Sequence, residues 1–231
     1  MGGFSIEMTG IILQARMSST RLPGKILKPI GKKNILDHIF FRLSRLKHPV
    51  KIVLATSDNV ADDVVEEYCR KKNIACFRGS ENNVLERYYM CARQYSMDAI
   101  VRLTGDNPFP DIEEIDNLIK IFTENKADFA HSFSALPIGV GAEIFTFQSL
   151  EKSYLHGRES HHLEHVNEYM IENPQIFKTL HLTVSVEKHQ PGVRLTIDTQ
   201  EDYERACFIV ENAKNEYITT QEAIQLCSQF A

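Results

Sequence analysis

Short runs of β-branched and apolar residues alternate with segments of helical periodicity from Thr9 to Phe133. The predicted strands are Thr9–Ala15, Lys51–Ser57, Ile74–Ser80, Ala99–Gly105 and Ala127–Phe133. Asn34–Lys47 is predicted as an amphipathic helix because its apolar positions repeat every three or four residues. These positions are Ile35, Leu36, Ile39, Phe40, Leu43 and Leu46. The same periodicity predicts helices over Asp58–Asn73, Asn83–Ser96 and Glu113–Asn125, and Asp58 is the expected N-cap of the first of these three.

This alternation of strands and helices predicts an α/β fold, with a mostly parallel central sheet and helices on both faces. Ligands of such Rossmann-like sheets bind beyond the carboxyl ends of the strands. The loop after Ala15 and the loop after Gly105 should therefore lie on the same rim of the sheet.

The pattern changes after Leu136. A turn and strand are predicted over Pro137–Phe147, a helix over His162–Asn173, strands over Phe177–Val186 and Val193–Thr199, and a helix over Gln200–Asn212. We interpret residues 9–213 as one domain that contains a lid, acceptor and interface region at about 137–186. The chain is expected to return to the main sheet through Arg194–Thr199, and residues 214–231 are expected to form a C-terminal helical tail.

Composition narrows the class of protein. The chain has 231 residues, 43% of them hydrophobic and 25% charged, and its net charge is −5, so general binding to nucleic acid or to an anionic membrane is not expected. Its apolar runs fall short of the roughly 20 residues that span a bilayer, and its N-terminus lacks a signal-peptide pattern. Five cysteines are scattered without a CxxC pair, which is typical of reduced thiols. We therefore expect a cytoplasmic protein.

The stretch LQARMSSTRLPGK, Leu13–Lys25, concentrates cations and hydroxyls in this acidic chain. It is neither a Walker A loop nor a dinucleotide fingerprint, because the required glycines are missing. Three cations and three hydroxyls still suit a polyphosphate, and Pro23-Gly24 would turn the chain back toward it. These residues are Arg16, Arg21, Lys25, Ser18, Ser19 and Thr20. A solvated basic loop is the alternative.

Two aspartates follow predicted strands. Asp106 lies in RLTGDNPFPD, and Asp198 lies in RLTIDTQEDYE. Either carboxylate could hold a divalent cation that bridges phosphates. Either could instead cap the helix that follows it.

Taken together, QARxSSTRLPGK, LTGDNPxxD and RLTxDTxEDYE resemble the cytidylyltransferases that activate acidic sugars. These are the CMP-Kdo and CMP-acylneuraminate synthetases, and the SpsF-type branch of spore-coat polysaccharide biosynthesis is most similar. The resemblance extends from Ile11 to about Ala213. It implies a nucleotide-diphospho-sugar transferase fold, CTP and a small acidic sugar as substrates, Mg²⁺ as cofactor, release of pyrophosphate, and a homodimer.

The resemblance also implies roles for individual residues. Arg16, Lys25 and Asp106 would be catalytic, and Asp106 and Asp198 would bind the metal. The nucleotide would contact Arg16, Ser18, Ser19, Arg21, Gly24, Lys25, Asn82, Asn83, Arg87 and Thr104. The acceptor would contact Glu143, His162 and Glu164. The branch more often carries an acidic residue at the position of Gly141, which places an acceptor contact there in doubt.

Several alternatives stay open. A glycosyltransferase of the same fold would consume a nucleotide sugar, a non-catalytic relative would only bind nucleotide, and another nucleotidyltransferase would use UTP or GTP. His161, His162 and His165 could bind zinc, because histidines four residues apart on a helix can share a metal ion, although the companion acid of a zinc-protease motif is wrong in spacing. The pair Tyr88-Tyr89 is interpreted as helix core rather than as a platform for stacking a base.

Overall fold

The computed structural model describes residues 6–230. Its strands are β1 Thr9–Gln14, β2 Pro29–Ile30, β3 Lys33–Asn34, β4 Lys51–Ser57, β5 Ala75–Gly79, β6 Ala99–Thr104, β7 Phe129–His131, β8 Glu143–Thr146 and β9 Thr179–His181. Over these residues, seven strands form one sheet in the order β5-β4-β1-β6-β8-β7-β9, and β2 and β3 form a separate hairpin. Strands β5, β4, β1 and β6 run parallel, whereas β8 is antiparallel to both β6 and β7. The predicted mostly parallel sheet is confirmed.

Helices cover both faces of this sheet. They are α1 Ile35–Leu43, α2 Asp63–Lys72, α3 Val84–Gln94, α4 Ile112–Glu124, α5 Phe147–His156, α6 Ser160–Glu164, α7 Glu168–Glu172, α8 Gln200–Asn212 and α9 Thr220–Cys227. Alternation along β1 sends Ile11 and Leu13 to the face packed by α1, α4, α8 and α9. Ile12 points to the opposite face, which α3, α5 and α7 cover. Among residues 6–230, no helix combines the length and apolarity that a membrane crossing requires.

The first four predicted helices form, with small shifts at their ends. Asn34, Asn83 and Asp111 cap α1, α3 and α4 by accepting backbone N–H groups. The predicted cap Asp58 is wrong. The second helix instead begins with a 3-10 turn, Val60–Asp62, that Asn59 caps.

The second half of the chain departs further from prediction. Helix α5 was not predicted, and the predicted helix His162–Asn173 is divided because His165 adopts an extended conformation between α6 and α7. Only the short β9 forms within Phe177–Val186.

The predicted strand Val193–Thr199 is also wrong, and so is the predicted return to the main sheet. The backbone partners of this segment are two loops, so that Leu195 N–H donates to Ile138 O and Ile197 N–H donates to Asp106 O. Leu195 and Ile197, two positions apart, are therefore both buried although this segment is not a strand.

Candidate active site

A cavity of about 430 Å³ opens at the carboxyl ends of β1 and β6. Nine residues predicted for the site line it together: Arg16, Ser18, Ser19, Arg21, Lys25, Thr104, Asp106, Glu164 and Asp198. Also in its walls are Gln14, Ala15, Thr20, Ile26, Gly105 and His165. A wider cleft of about 540 Å³ beside α9 has only Arg194 and Arg205 as charged lining, and both are already paired with acidic side chains of α8 or its N-terminal turn.

Adjacent parallel strands explain why distant segments meet here. Gln14 and Thr104 are register partners at the ends of β1 and β6, so the loops that follow begin side by side. The N–H of Gly105 donates to Gln14 O at 2.7 Å, which joins the two loops at their starts.

Asp62 fixes the beginning of the basic loop. Its buried carboxylate accepts the N–H of Met17 at 2.6 Å and the N–H of Ser57 at 3.1 Å, and it is also bonded to the Ser57 hydroxyl. At the other end, Gly24 has φ +67°, a conformation that favours glycine, and its N–H donates to Met17 O. The chain therefore turns back and buries Lys25. Asp62 was not predicted, because its bond crosses from another segment.

Lys25 lies between the two predicted metal ligands. Its Nζ donates to Asp106 Oδ2 at 3.0 Å, to Asp198 Oδ1 at 2.9 Å and to the carbonyl oxygen of Ile197 at 2.8 Å. The residue is only 8% exposed. Two segments that are remote in sequence, one at Asp106 and one at Ile197 and Asp198, thus converge on the ammonium group of a third.

Asp198 is surrounded by further cations. Arg21 Nη2 lies 3.1 Å from Oδ1, and Arg194 Nη2 lies 2.5 Å from Oδ2. Burial acts to raise the pKa of Asp198, but Lys25, Arg21 and Arg194 outweigh it and hold that pKa below its ordinary value. The carboxylate is therefore charged at neutral pH.

Asp202 holds Asp198 in place from behind. Its Oδ2 accepts the N–H groups of Asp198 and Thr199 at 3.0 Å, and its Oδ1 contacts Arg194 Nε at 3.1 Å. Thr199 and Asp202 form the capping box of α8. Neither Arg194 nor Asp202 was predicted for the site, although both lie in the RLTIDTQEDYE segment.

The donor set fits a hard divalent cation. Two carboxylate oxygens and one carbonyl oxygen already surround a positive charge, with Lys25 Nζ standing in for it. Oxygen ligands of this kind are those that Mg²⁺ takes in proteins. Asp106 and Asp198 are therefore suitable ligands for the cation that the sequence predicts.

The alternative of helix capping is excluded for both aspartates. The side chain of Asp111, not Asp106, caps α4, and Thr199, not Asp198, caps α8. Both predicted metal ligands instead direct their carboxylates at Lys25.

Four residues predicted for the nucleotide lie outside the cavity lining. Gly24 shapes the loop, Asn83 caps α3, and Asn82 is exposed. Arg87 is buried, donates from Nη1 to Ser80 O, and leaves Nε and Nη2 without a partner among the described residues. Burial lowers the pKa of Arg87. Arg16 Nη1 reaches Glu81 O at 3.4 Å, so two arginines contact the loop after β5.

On the opposite side, the break at His165 places Glu164 and His165 in the cavity wall. Glu143, predicted to contact the acceptor, is fully buried with Arg102 Nη1 at 2.6 Å, and burial raises its pKa despite that arginine. His162 is also outside the lining and hydrogen-bonds Glu172 through Nε2 at 2.6 Å.

The structure also bears on Gly141. A Cβ at this position would lie 2.6 Å from Ser132 Oγ, which is closer than Cβ contacts allow. Ser132 Oγ bonds both backbone groups of Ala142, so it has little freedom to move. The acidic residue of related chains therefore does not fit this packing.

The histidine and tyrosine hypotheses are decided by contacts. His161 and His162 share the carboxylate of Glu172, and one ligand atom from each of these three residues lies within 4.8 Å of the others, whereas His165 lies apart in the cavity wall and does not belong to this cluster. Tyr88 is fully buried and bonds backbone oxygens of β1 and β6. Tyr89 stacks on Tyr154, with ring centroids 4.3 Å apart, so the interpretation as helix core is confirmed.

Comparison with known proteins identifies the family. A family model described as cytidylyltransferase matches residues 10–224. The chain belongs to the cytidylyltransferase family. It is thus a nucleotidyltransferase, as the motifs of the sequence predict.

Among curated relatives, the chain is 38% identical over 198 residues to the spore coat polysaccharide biosynthesis protein SpsF of Bacillus subtilis strain 168, with 84% of this chain and 82% of that protein covered. A solved cytidylyltransferase from Leptospira borgpetersenii serovar Hardjo-bovis strain JB197 aligns with a TM-score of 0.89 and 36% identity, covering 96% of this chain and 95% of that chain. A CMP:2-keto-3-deoxy-manno-octonic acid synthetase complexed with CTP has the same fold, with a TM-score of 0.66, 15% identity, and coverage of 89% and 99%.

Proposed function

We propose that this cytidylyltransferase transfers CMP from CTP to an acidic sugar of the nonulosonic-acid type, or to a related polysaccharide precursor, and releases pyrophosphate. The observation that carries the proposal is the contact of Lys25 with both Asp106 and Asp198 at the rim of the basic loop. This arrangement offers cations to a polyphosphate and carboxylates to a metal within one cavity. The SpsF and CMP:2-keto-3-deoxy-manno-octonic acid synthetase relatives support a sugar as acceptor.

In the reaction, the acceptor oxygen attacks the α-phosphorus of CTP, a new phosphorus–oxygen bond forms, and the bond to the β-phosphate breaks. The hydroxyl proton is released and pyrophosphate departs with the bonding electrons. Arg16, Arg21 and Lys25 bind and orient the triphosphate, and the Ser18 and Ser19 groups donate hydrogen bonds to it. Asp106 and Asp198 would hold Mg²⁺, which when bound would supply positive charge to the transition state and acidify the attacking hydroxyl.

The two sides of the cavity have different roles in this proposal. The basic loop binds phosphate, and the wall formed by Glu164 and His165 faces the acceptor. Glu143 lies behind that wall, where its pairing with Arg102 makes it a support for the acceptor side rather than a direct contact.

Thermal stabilisation tests the choice of nucleotide before any acceptor is known. The melting temperature is measured with CTP, UTP, GTP, ATP and dTTP, each with and without Mg²⁺. A ligand at about 100 times its Kd adds about 2.7 kcal/mol to the free energy of unfolding, which gives a clear shift. We expect CTP with Mg²⁺ to stabilise the protein most.

Two outcomes would contradict the proposal. Stabilisation by a nucleoside diphosphate sugar but by none of the triphosphates would favour a glycosyltransferase. Equal or greater stabilisation by UTP or GTP would favour another nucleotidyltransferase. Once CTP is established, release of pyrophosphate upon addition of candidate acidic sugars identifies the acceptor.

A further inference from the structure

The ammonium group of Lys25 has an environment that resembles the coordination shell of a metal ion. Its three oxygen partners belong to Asp106, Asp198 and Ile197, and all lie at 2.8–3.0 Å from Nζ. The side chain is almost entirely buried. A lysine that only bound phosphate would have no need of two carboxylates and a carbonyl, so these contacts indicate a second role in the absence of nucleotide.

Lysine and a divalent cation cannot use these oxygens at the same time. A Mg²⁺ ion takes oxygen ligands at about 2.1 Å, so it would sit almost where Nζ now sits and would repel the ammonium group strongly. One of the two positive charges has to leave. In the proposed reaction the triphosphate can accept the ammonium group of Lys25, which leaves the two carboxylates to the divalent cation.

We propose that Lys25 occupies the metal position in the free enzyme and leaves it when the nucleotide binds, so that Asp106 and Asp198 bind a divalent cation tightly only together with CTP. This inference rests on the proposed function, because the triphosphate is the group that draws Lys25 away. The exchange also explains how the negative charges of Asp106 and Asp198 are neutralised between turnovers, when the site holds no metal ion.

Exchange of the two cations is compatible with the rest of the site. Asp198 keeps Arg21 and Arg194 as partners when Lys25 leaves, and Asp202 still fixes its backbone. Asp106 has Lys25 as its side-chain partner among the described residues, so its carboxylate becomes fully available to the incoming ion. The site therefore does not need to unfold to exchange one cation for the other.

Direct metal binding tests the inference. Binding of Mn²⁺ to the nucleotide-free protein is measured by electron paramagnetic resonance, through loss of the signal of the free ion. We expect Lys25→Met to bind one Mn²⁺ at least about tenfold more tightly than the wild type, because the charge of a site sets its cation affinity. Mn²⁺ should also raise the melting temperature of Lys25→Met more than that of the wild type.

Two further variants make the result specific. Lys25→Arg keeps a cation among the carboxylates and should bind Mn²⁺ as weakly as the wild type. Lys28→Met removes a neighbouring lysine that lies over the ring of Tyr203 and has no contact with the two aspartates, so its Mn²⁺ affinity should not change. Circular dichroism verifies that Lys25→Met is folded. If it is not, the wild type is compared with Lys25→Arg, and both are expected to bind Mn²⁺ weakly in the absence of nucleotide.

Tight binding of Mn²⁺ to the nucleotide-free wild type, or no gain in Lys25→Met, would overturn the inference. Stabilisation of the wild type by CTP with Mg²⁺ is measured on the same preparation. If CTP stabilises the wild type while Mn²⁺ binding is unchanged in Lys25→Met, the exchange of cations fails and the proposed function survives. If CTP does not stabilise the wild type, the proposed function fails.

Discussion

The two carboxylates of the site differ in how firmly they are held. Asp198 contacts cations through both of its oxygens, whereas Asp106 contacts Lys25 through Oδ2 alone. Asp198 therefore contributes to the packing of the 194–202 turn as well as to the proposed chemistry. The side chain of Asp106 contributes less to the packing of the site. A substitution at Asp106 therefore separates an effect on catalysis from an effect on folding better than one at Asp198.

Asp106→Asn should lower turnover by about 100-fold or more, because a metal ligand that stabilises transition-state charge contributes several kcal/mol. The affinity for CTP should fall much less, since Arg16, Arg21 and Lys25 remain. Pyrophosphate release gives kcat, and thermal stabilisation by CTP gives the affinity. Near-normal turnover in Asp106→Asn would show that Asp106 is not a metal ligand.

At the level of elements, the strands that carry the site were predictable and the segments that complete it were not. The predicted bounds of β1, β4, β5 and β6 agree closely with those observed, because the apolar run of each strand ends in a polar turn. The segment Val193–Thr199 has the same local pattern but pairs with loops, and neighbouring loops are not visible in a local pattern.

The candidate site shows the same division. Residues directly after β1 and β6 could be placed in one cavity because parallel strands end on one rim. The support of the basic loop could not be predicted, since Asp62 holds Met17 across 45 positions of the chain. The break between α6 and α7 at His165 carries neither glycine nor proline, so no local signal marked it.

Asp62 connects the basic loop to the end of β4, and its replacement tests that connection. The carboxylate of Asp62 accepts from Met17 and Ser57, and in Asn one of its oxygens becomes an NH₂ group that cannot accept. At least one of these hydrogen bonds is therefore lost. Asp62→Asn should lower the free energy of unfolding by about 1–3 kcal/mol and raise KM for CTP more than it lowers kcat. Urea unfolding and steady-state kinetics measure the two effects.

Asp58→Asn is the matched control, because Asp58 lies in the same turn with an exposed side chain. Its stability and its KM for CTP should remain close to those of the wild type. Equal behaviour of the two variants would show that the Met17 bond does not position the loop.

For the whole molecule, a largely buried polar network around Lys188 ties distant parts of the chain together. Lys188 Nζ lies 3.0 Å from Asp111 Oδ2 and 2.8 Å from both Glu113 Oε2 and Glu114 Oε1. The hydroxyl of Thr220 donates to the same Asp111 oxygen. The network thereby fastens the 183–193 loop and α9 to the start of α4, next to the 194–198 turn that carries Asp198.

Lys188→Met tests how much the molecule depends on this network. Loss of the ammonium group leaves the buried carboxylates of Asp111 and Glu114 facing each other, so the free energy of unfolding should fall by about 3 kcal/mol or more. Lys71→Met, which breaks an exposed pair with Glu67 on α2, should leave it almost unchanged, because solvent screens such a pair. Urea unfolding compares the two variants. If Lys188→Met is as stable as Lys71→Met, the network is dispensable, and the position of Asp198 is set by its own contacts with Lys25, Arg194 and Asp202.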